Sequence, residues 1–495
     1  MPIRTALSSL SIAALLVSGC GGGETPKADT NPAEVDTEIV AVDHVALFDT
    51  STVHRIELIY DEADYDAMVA TLAETGEKEW IEVTVIIDGV TFERAGARLK
   101  GNSSLTALSG GVPGRPDRAV DDNASAPEGT TDSDRAQPDR LGGNPFGGSI
   151  SADEPERLPW LIRLDQFVEG QQRDGYVDIV IRSNISETSL NEAVALDLLE
   201  EAGLASQRAA HVEFSVNGGD SSLRLMIEHP SDDAWQESRF SGAGALYKAE
   251  SSGDWSYRGD DPAAYDDAFD QEGGSNVTDL TPLIDFLEFI NESDDATFAA
   301  ELPERLDVEA FATYLAMMDL VDNFDDIDGP GNNAYLWWDA ESGQLTVVPW
   351  DLNLAFGALG GEGLPGGGEF PGTGEPPEGF EPPPDGAIPE GFEPPEGFEP
   401  PEGFEPPQGF EPGEGGPGGF GRSNVLVERF HSNTDFEALY QAKLSELTAA
   451  VVDSGVAEEI LAARVTVLTE QASELVDVAD IDQEADAIAE TLTRE

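Results

Sequence analysis

Asp328 and Asn333 precede two short apolar runs, Ala334 to Trp338 and Gln344 to Val348, and Pro349-Trp350-Asp351 follows directly. Phosphoryl transfer uses residues of these types in this order. One carboxylate orients the attacking hydroxyl, an amide oxygen meets a divalent metal, and a second carboxylate across a hairpin meets the same metal. Mg²⁺ takes hard oxygen ligands in near-octahedral geometry, and an Asn, an Asp and phosphate oxygens supply them; Mn²⁺ is the alternative cation. The same residues also build an ordinary polar turn, because Asp, Gly and Pro favour turns for reasons unrelated to catalysis. The acid-rich run Asp322 to Asp328 leaves the register open by a few residues, with Asp325 the alternative to Asp328. An EF-hand is excluded: with Gly329 at that loop's glycine, Phe324 and Tyr335 fall on ligand positions.

A triphosphate needs positive charge, and this chain has little. It carries 99 acidic against 26 basic residues, a formal net charge of −73. Nucleic acid is therefore excluded as a partner, since binding it needs a dense basic surface. Lys100, in the turn Arg98-Leu99-Lys100-Gly101-Asn102-Ser103-Ser104 after an alternating strand pattern, is the first candidate for a phosphate contact. The turn's backbone N–H groups could add to it. Arg98, Arg182 and Lys248 are further candidates for the same cleft. Glu228, ending the run LRLMIE, could pair with a phosphate-binding lysine. A lysine or glutamate at a strand end also commonly just reaches solvent.

Other chemistries lack their residues. No GxGxxG follows a strand pattern and no Walker sequence is present, so a standard kinase glycine loop and a P-loop are both excluded. The histidines at 44, 54, 211, 229 and 431 have no serine elbow beside them, and no His or Cys cluster suits zinc.

The elements that must carry these residues read as a mixture of strands and helices. Alternation in IEVTVIID predicts a strand, and a short helix is expected near Asp64 to Leu72. Leu190 to Ala202 has helical spacing, and His211 to Val216 with Leu223 to Ile227 predicts a hairpin around Asn217-Gly218-Gly219. Residues 281–321 predict two amphipathic helices delivering the acidic turn, with apolar stripes at Leu283, Phe286, Leu287, Ile290 and at Phe311, Leu315, Met318, Val321. Residues 109–156, rich in Gly, Pro, Asp and Ser, are expected to be a disordered insertion. Residues 360–421 repeat EGFEPP around Phe392, Phe398, Phe404 and Phe410, and proline at this density forbids a packed helix or central strand. Residues 422–495 return to helical patterning, with Val425 to Phe430, Phe436 to Leu447 and Ile460 to Leu475 packing back on the core.

At the N-terminus a short apolar run ends at Val17-Ser18-Gly19-Cys20, which resembles a bacterial lipobox whose cysteine is lipidated. Residues 1–19 then read as a lipoprotein signal peptide and 20–43 as a flexible tether, which predicts an extracytoplasmic, lipid-anchored protein of the cell envelope. Cys20 is the only cysteine, so no internal disulfide can form and the core must suffice.

The segment Asp328, Asn332, Asn333, Trp350, Asp351, Phe356, Gly357 resembles the C-terminal core of the spore coat protein H (CotH) kinase family, atypical secreted or surface kinases. So do, in the family's order, the runs from Val45 to Tyr60, Ile81 to Ser104, Arg157 to Phe167, Ile181 to Leu204 and Ala245 to Ser251. Asn353 stands where the family carries a second Asp, and Arg157 and Arg163 where it often has lysines. The resemblance implies an α+β, atypical protein-kinase-like fold over residues 44–357, using ATP with Mg or Mn on Ser or Thr of an exported protein substrate. Asp328 would be catalytic, Asn333 and Asp351 would hold the metal, and a monomer is expected. The alternative is a catalytically weak, kinase-like surface lipoprotein acting in adhesion or assembly.

Overall fold

A computed structural model describes residues 45–101, 103–105, 108, 150–251, 253–274, 279–329, 332–358 and 424–493. Cys20, Asn102, most of the 109–156 insertion and the EGFEPP repeats lie outside the described residues. The described chain is α+β, as expected, with eleven strands and ten α-helices among those residues. The strands are β1 (His54–Ile59), β2 (Ile81–Ile87), β3 (Val90–Leu99), β4 (Trp160–Arg163), β5 (Asp178–Ile181), β6 (Ala209–Val216), β7 (Ser221–Glu228), β8 (Gly244–Ala249), β9 (Phe269–Gly274), β10 (Ala334–Asp339) and β11 (Leu345–Pro349). The helices are α1 (Glu62–Thr75), α2 (Leu190–Glu201), α3 (Asp233–Arg239), α4 (Thr281–Glu292), α5 (Asp295–Arg305), α6 (Val308–Leu320), α7 (Val425–Ser432), α8 (Thr434–Leu447), α9 (Val456–Gln471) and α10 (Val478–Leu492).

Seven strands close into a barrel in the order β1-β2-β3-β4-β5-β7-β6, sealed by the parallel pairing of β1 with β6. Closure removes the open sheet edges that a flat sheet would expose. Inward residues such as Ile56, Val85, Ala97 and Phe214 are fully buried. The predicted hairpin is β6–β7, and Asn217 and Gly218 both take positive φ, 50° and 66°, as a tight two-residue turn requires. The remaining four strands form a second sheet, β11-β10-β8-β9, all antiparallel.

Two expectations change. Residues 281–321 form three helices rather than two, because Asp294 and Asp307 each cap a new start after the chain turns. The last of them, α6, is not a one-sided stripe: every residue from Phe311 to Met318 is buried, since the second sheet and α8 both pack on it. The insertion also ends earlier than expected. Residues 150–156 are described and tied down, with Tyr65 donating to the Ala152 carbonyl at 2.8 Å and the Trp160 indole to that of Pro155 at 2.9 Å.

The C-terminal helices do pack back. Arg464 of α9 makes a two-pronged ion pair with Asp197 of α2, 2.7 Å for each bond, and its guanidinium also reaches the Ala209 carbonyl at 3.0 Å. Glu484 of α10 accepts from Ser186 Oγ at 2.9 Å, from the backbone of Glu187 and Thr188 at 2.9 and 3.2 Å, and from Thr188 Oγ1. That carboxylate fixes the turn leading into α2. No helix among the described residues is long and apolar enough to cross a membrane.

Candidate active site

Strand direction gathers the basic residues. β3 and β5 both run antiparallel to β4, so they point the same way and their last residues share one rim of the barrel. Lys100 follows β3 and Arg182 follows β5. In the second sheet β8 and β11 both run against β10, which brings the end of β8, the start of β10 and the end of β11 together. Those positions carry Lys248 and Glu250, Asn333, and Trp350 with Asp351. Between barrel rim and sheet end lies a cleft of about 380 Å³. Its walls include Lys100, Arg182, Lys248, Asp325, Asn333 and Asp351.

Trp350 forms part of the cleft wall, and two cations approach its ring. Lys100 Nζ is 5.6 Å and the Arg182 guanidinium carbon 5.9 Å from the ring centroid, within the range of cation–π attraction. Tyr335 and His229 pack edge-on against the same indole, at 5.4 and 6.0 Å between centroids. Opposite charge balances two of the cleft's cations, Lys248 and Arg182. Lys248 Nζ donates to Glu250 Oε1 at 2.9 Å, and Arg182 bridges Glu192, at 2.9 Å, and Asp351. Burial pushes the Glu192 carboxyl up and Asp351 adds to that, while Arg182 pulls it down. Burial would lower the Arg182 guanidinium, but Asp351 and Glu192 together hold it above its ordinary value.

The acidic turn after α6 is held by asparagines. Asn333 Nδ2 donates to both the Asp325 carbonyl and Asp325 Oδ2, each at 2.9 Å, so the amide oxygen is the end not committed to Asp325. Asn332, at φ 52°, donates from Nδ2 to the Glu250 carbonyl at 3.1 Å and accepts from the Trp255 indole at 2.8 Å. Asp322, Asn332, Asp351 and Phe356 all have positive φ. Left-handed non-glycine backbone costs about 1–3 kcal/mol per residue and persists where the surroundings over-determine it, as at functional sites.

Three expected site residues fall elsewhere. Asp328 does not line the cleft: its Oδ1 accepts the Asn424 backbone N–H at 2.7 Å, and it faces Glu428 and His431 of α7. The four-residue stretch from Asp325 to Asp328 turns over, so Asp325 meets the cleft and Asp328 meets the helices. Burial pushes the Asp328 carboxyl up. Glu228 ends β7, which runs against β5, so it lies at the opposite barrel rim from Lys100; it pairs with Arg208 at 2.7 Å and accepts from Tyr176 at 2.6 Å. Arg98 precedes buried Leu99 in β3, and alternation turns it to the other face, over Trp80 at 5.1 Å. Arg163 approaches the same ring at 5.5 Å and pairs with Asp178.

Glu250, Glu192 and Asn191 were not singled out from the sequence. Lys248 and Glu250 are two residues apart, so a strand puts them on one face, and that spacing was a usable signal. Glu192 and Asn191 stand out only as polar residues in the buried first turn of α2.

A divalent cation and a nucleotide fit the donor set here. Asn353 Oδ1 is buried in the cleft wall without a hydrogen-bond partner among the described residues, and Asp351 and the Asn333 amide oxygen add hard oxygen donors. No group of three or more His, Cys, Asp or Glu among the described residues could hold a metal alone. A cation would draw its remaining ligands from phosphate and water, the usual arrangement for Mg²⁺.

Barrel, sheet and cleft together define an α+β protein in which Lys100, Arg182, Lys248, Asp325, Asn333 and Asp351 line one cleft of mixed charge. The sequence model of the CotH kinase protein family matches residues 145–479, and the chain belongs to that family. It is 22% identical over 196 residues to the inner spore coat protein H of Bacillus subtilis (strain 168), which covers 39% of this chain and 53% of that protein. The chain thus spans about half the length of that curated relative.

Proposed function

We propose that the chain is an extracytoplasmic atypical kinase that transfers the γ-phosphate of ATP to a Ser or Thr hydroxyl of an exported or surface protein. The observation that carries this reading is the convergence of Asp325, Asn333 and Asp351 with Lys100, Arg182 and Lys248 on one cleft. Asp325, oriented by Asn333, takes the role first given to Asp328: it accepts a hydrogen bond from the acceptor hydroxyl and aligns its oxygen for in-line attack. Lys100 and Lys248 neutralise and position the phosphates, and Trp350 shields that region from water. Asp351 and Asn333 would hold Mg or Mn, which when bound supplies charge neutralisation on the phosphates.

The relative's name as a spore coat protein and the lipobox at Cys20 support a place in the cell envelope, with membrane contact through an N-terminal lipid anchor. The net charge of −73 argues against nucleic acid as partner.

The test is incorporation of label from γ-labelled ATP by the purified chain, with α-labelled ATP separating nucleotidyl transfer. Incorporation that survives Asp351→Ala unchanged would discredit the site. A second reading, a catalytically weak scaffold for adhesion or assembly, is favoured by Asn353, which brings no charge to the cleft. Thermal stabilisation by Mg²⁺ with ATP supports the enzyme, and its absence supports the scaffold.

A further inference from the structure

The carboxylate best placed to receive a metal is already engaged. Arg182 Nη2 donates to Asp351 Oδ1, while Arg182 Nε donates to Glu192 Oε2 at 2.9 Å. The arginine side chain is only 13% exposed and that of Glu192 2%, so water screens the three charges weakly. Asp351 is the more open end, with 29% of its side chain exposed toward the cleft. The guanidinium thus has one deep anchor and one shallow one. It can leave the shallow one without being stranded.

A divalent cation arriving alone at Asp351 meets a partly neutralised carboxylate and a buried like charge beside it. A triphosphate changes that balance, because phosphate oxygens accept the same fork of N–H donors that a carboxylate does. Arg182 lines the cleft beside Lys100 and is 5.9 Å from Trp350, so a shift toward the phosphates keeps it inside the same wall. We propose that Arg182 is the resident counter-ion of Asp351, pivoting on Glu192 to release that carboxylate when nucleotide phosphate enters, so that cation and nucleotide bind as a cooperative pair. This rests on the kinase reading of the cleft and gives the site a reason to stay metal-free without nucleotide.

The experiment uses the purified chain and follows Mn²⁺ by the electron paramagnetic resonance of the free ion, with and without a non-hydrolysable ATP analogue. Arg182→Gln is expected to bind Mn²⁺ alone about tenfold or more tightly than the unaltered protein, within the range of ordinary coupling between sites. The gain in Mn²⁺ affinity on adding the analogue shrinks by the same factor. Asp351→Ala abolishes the enhancement in the Arg182→Gln background. Arg182→Lys, which keeps the charge but reaches a single carboxylate, falls between the two and carries the test if the glutamine variant does not fold. Mn²⁺ affinity that is unchanged or weaker in both variants overturns the counter-ion role while leaving the kinase reading intact, provided the unaltered protein binds Mn²⁺ with the analogue. Failure of every form to bind Mn²⁺ with the analogue overturns both.

Discussion

Asp325 and Asp328 give the sharpest test of the site, because they lie three residues apart in one turn and the structure gives them different surroundings. Asp325→Asn keeps the shape of the side chain and its place beside Asn333, but removes the charge that would orient and deprotonate a hydroxyl. General-base assistance is worth about 10²–10⁴-fold, so turnover should fall by that factor with little change in nucleotide affinity. Asp328 receives the Asn424 N–H at 2.7 Å where the chain enters α7. Asp328→Ala leaves that donor without its acceptor, at a cost of about 1–3 kcal/mol, whereas Asp328→Asn keeps an acceptor oxygen and costs about 1 kcal/mol or less. Phosphate transfer by Asp328→Asn should therefore stay within a few-fold of the unaltered protein. The assay is initial-rate transfer from γ-labelled ATP, with urea unfolding of each variant alongside. If Asp328→Asn loses as much activity as Asp325→Asn while remaining equally stable, the base is Asp328 and the geometric argument fails.

Further outcomes follow from the same contacts. Arg464→Ala strands Asp197 and unpins α9 from α2, which should cost about 3–5 kcal/mol in urea unfolding; a loss under 1 kcal/mol would mean the pair is dispensable. Glu484→Ala removes the four bonds that α10 makes to the turn at 186–188 and should lower stability by about 2–4 kcal/mol, with a loss of Mg²⁺-dependent nucleotide binding because α2 carries Asn191 and Glu192; unaltered binding would separate α10 from the site. Burial pushes Asp326 up from 3.8 to about 7, with Asp328, Asp319 and Asp325 adding repulsion. A carboxyl raised in the folded state stabilises below its unfolded value and loses that contribution as pH climbs through the folded one, so the window here is pH 4 to 7. The full effect is at most about 4 kcal/mol, less for the partial exposure of this side chain, and Asp326→Asn should be relatively more stable than the unaltered protein at pH 8 than at pH 5. Equal differences at both pH values would show that Asp326 is ionised throughout.

Local pattern was enough to determine much of this protein. Alternation fixed the β2 and β6–β7 strands, the Asn217-Gly218 pair fixed their hairpin turn, and Leu190 onward fixed α2, because each depends on contacts within a few residues. The order of residues from Asn332 to Asp351 also identified the segment that would hold chemistry. Boundaries between helices were less legible: the Asp294 and Asp307 caps split residues 281–321 into three, a signal that an apolar-stripe reading passes over.

What the sequence left open was decided by strand direction and by the path of one turn. Lys100 and Arg182 share a rim because β3 and β5 run the same way, and Glu228 is excluded because β7 runs against them. Those relations join residues more than eighty positions apart in places, and no local period encodes them. The choice between Asp325 and Asp328 depends on Asn333 reaching back to one and the start of α7 descending on the other. In a run so rich in aspartate several residues have the right chemistry, and only the packing of distant elements determines which carboxylate faces the cleft.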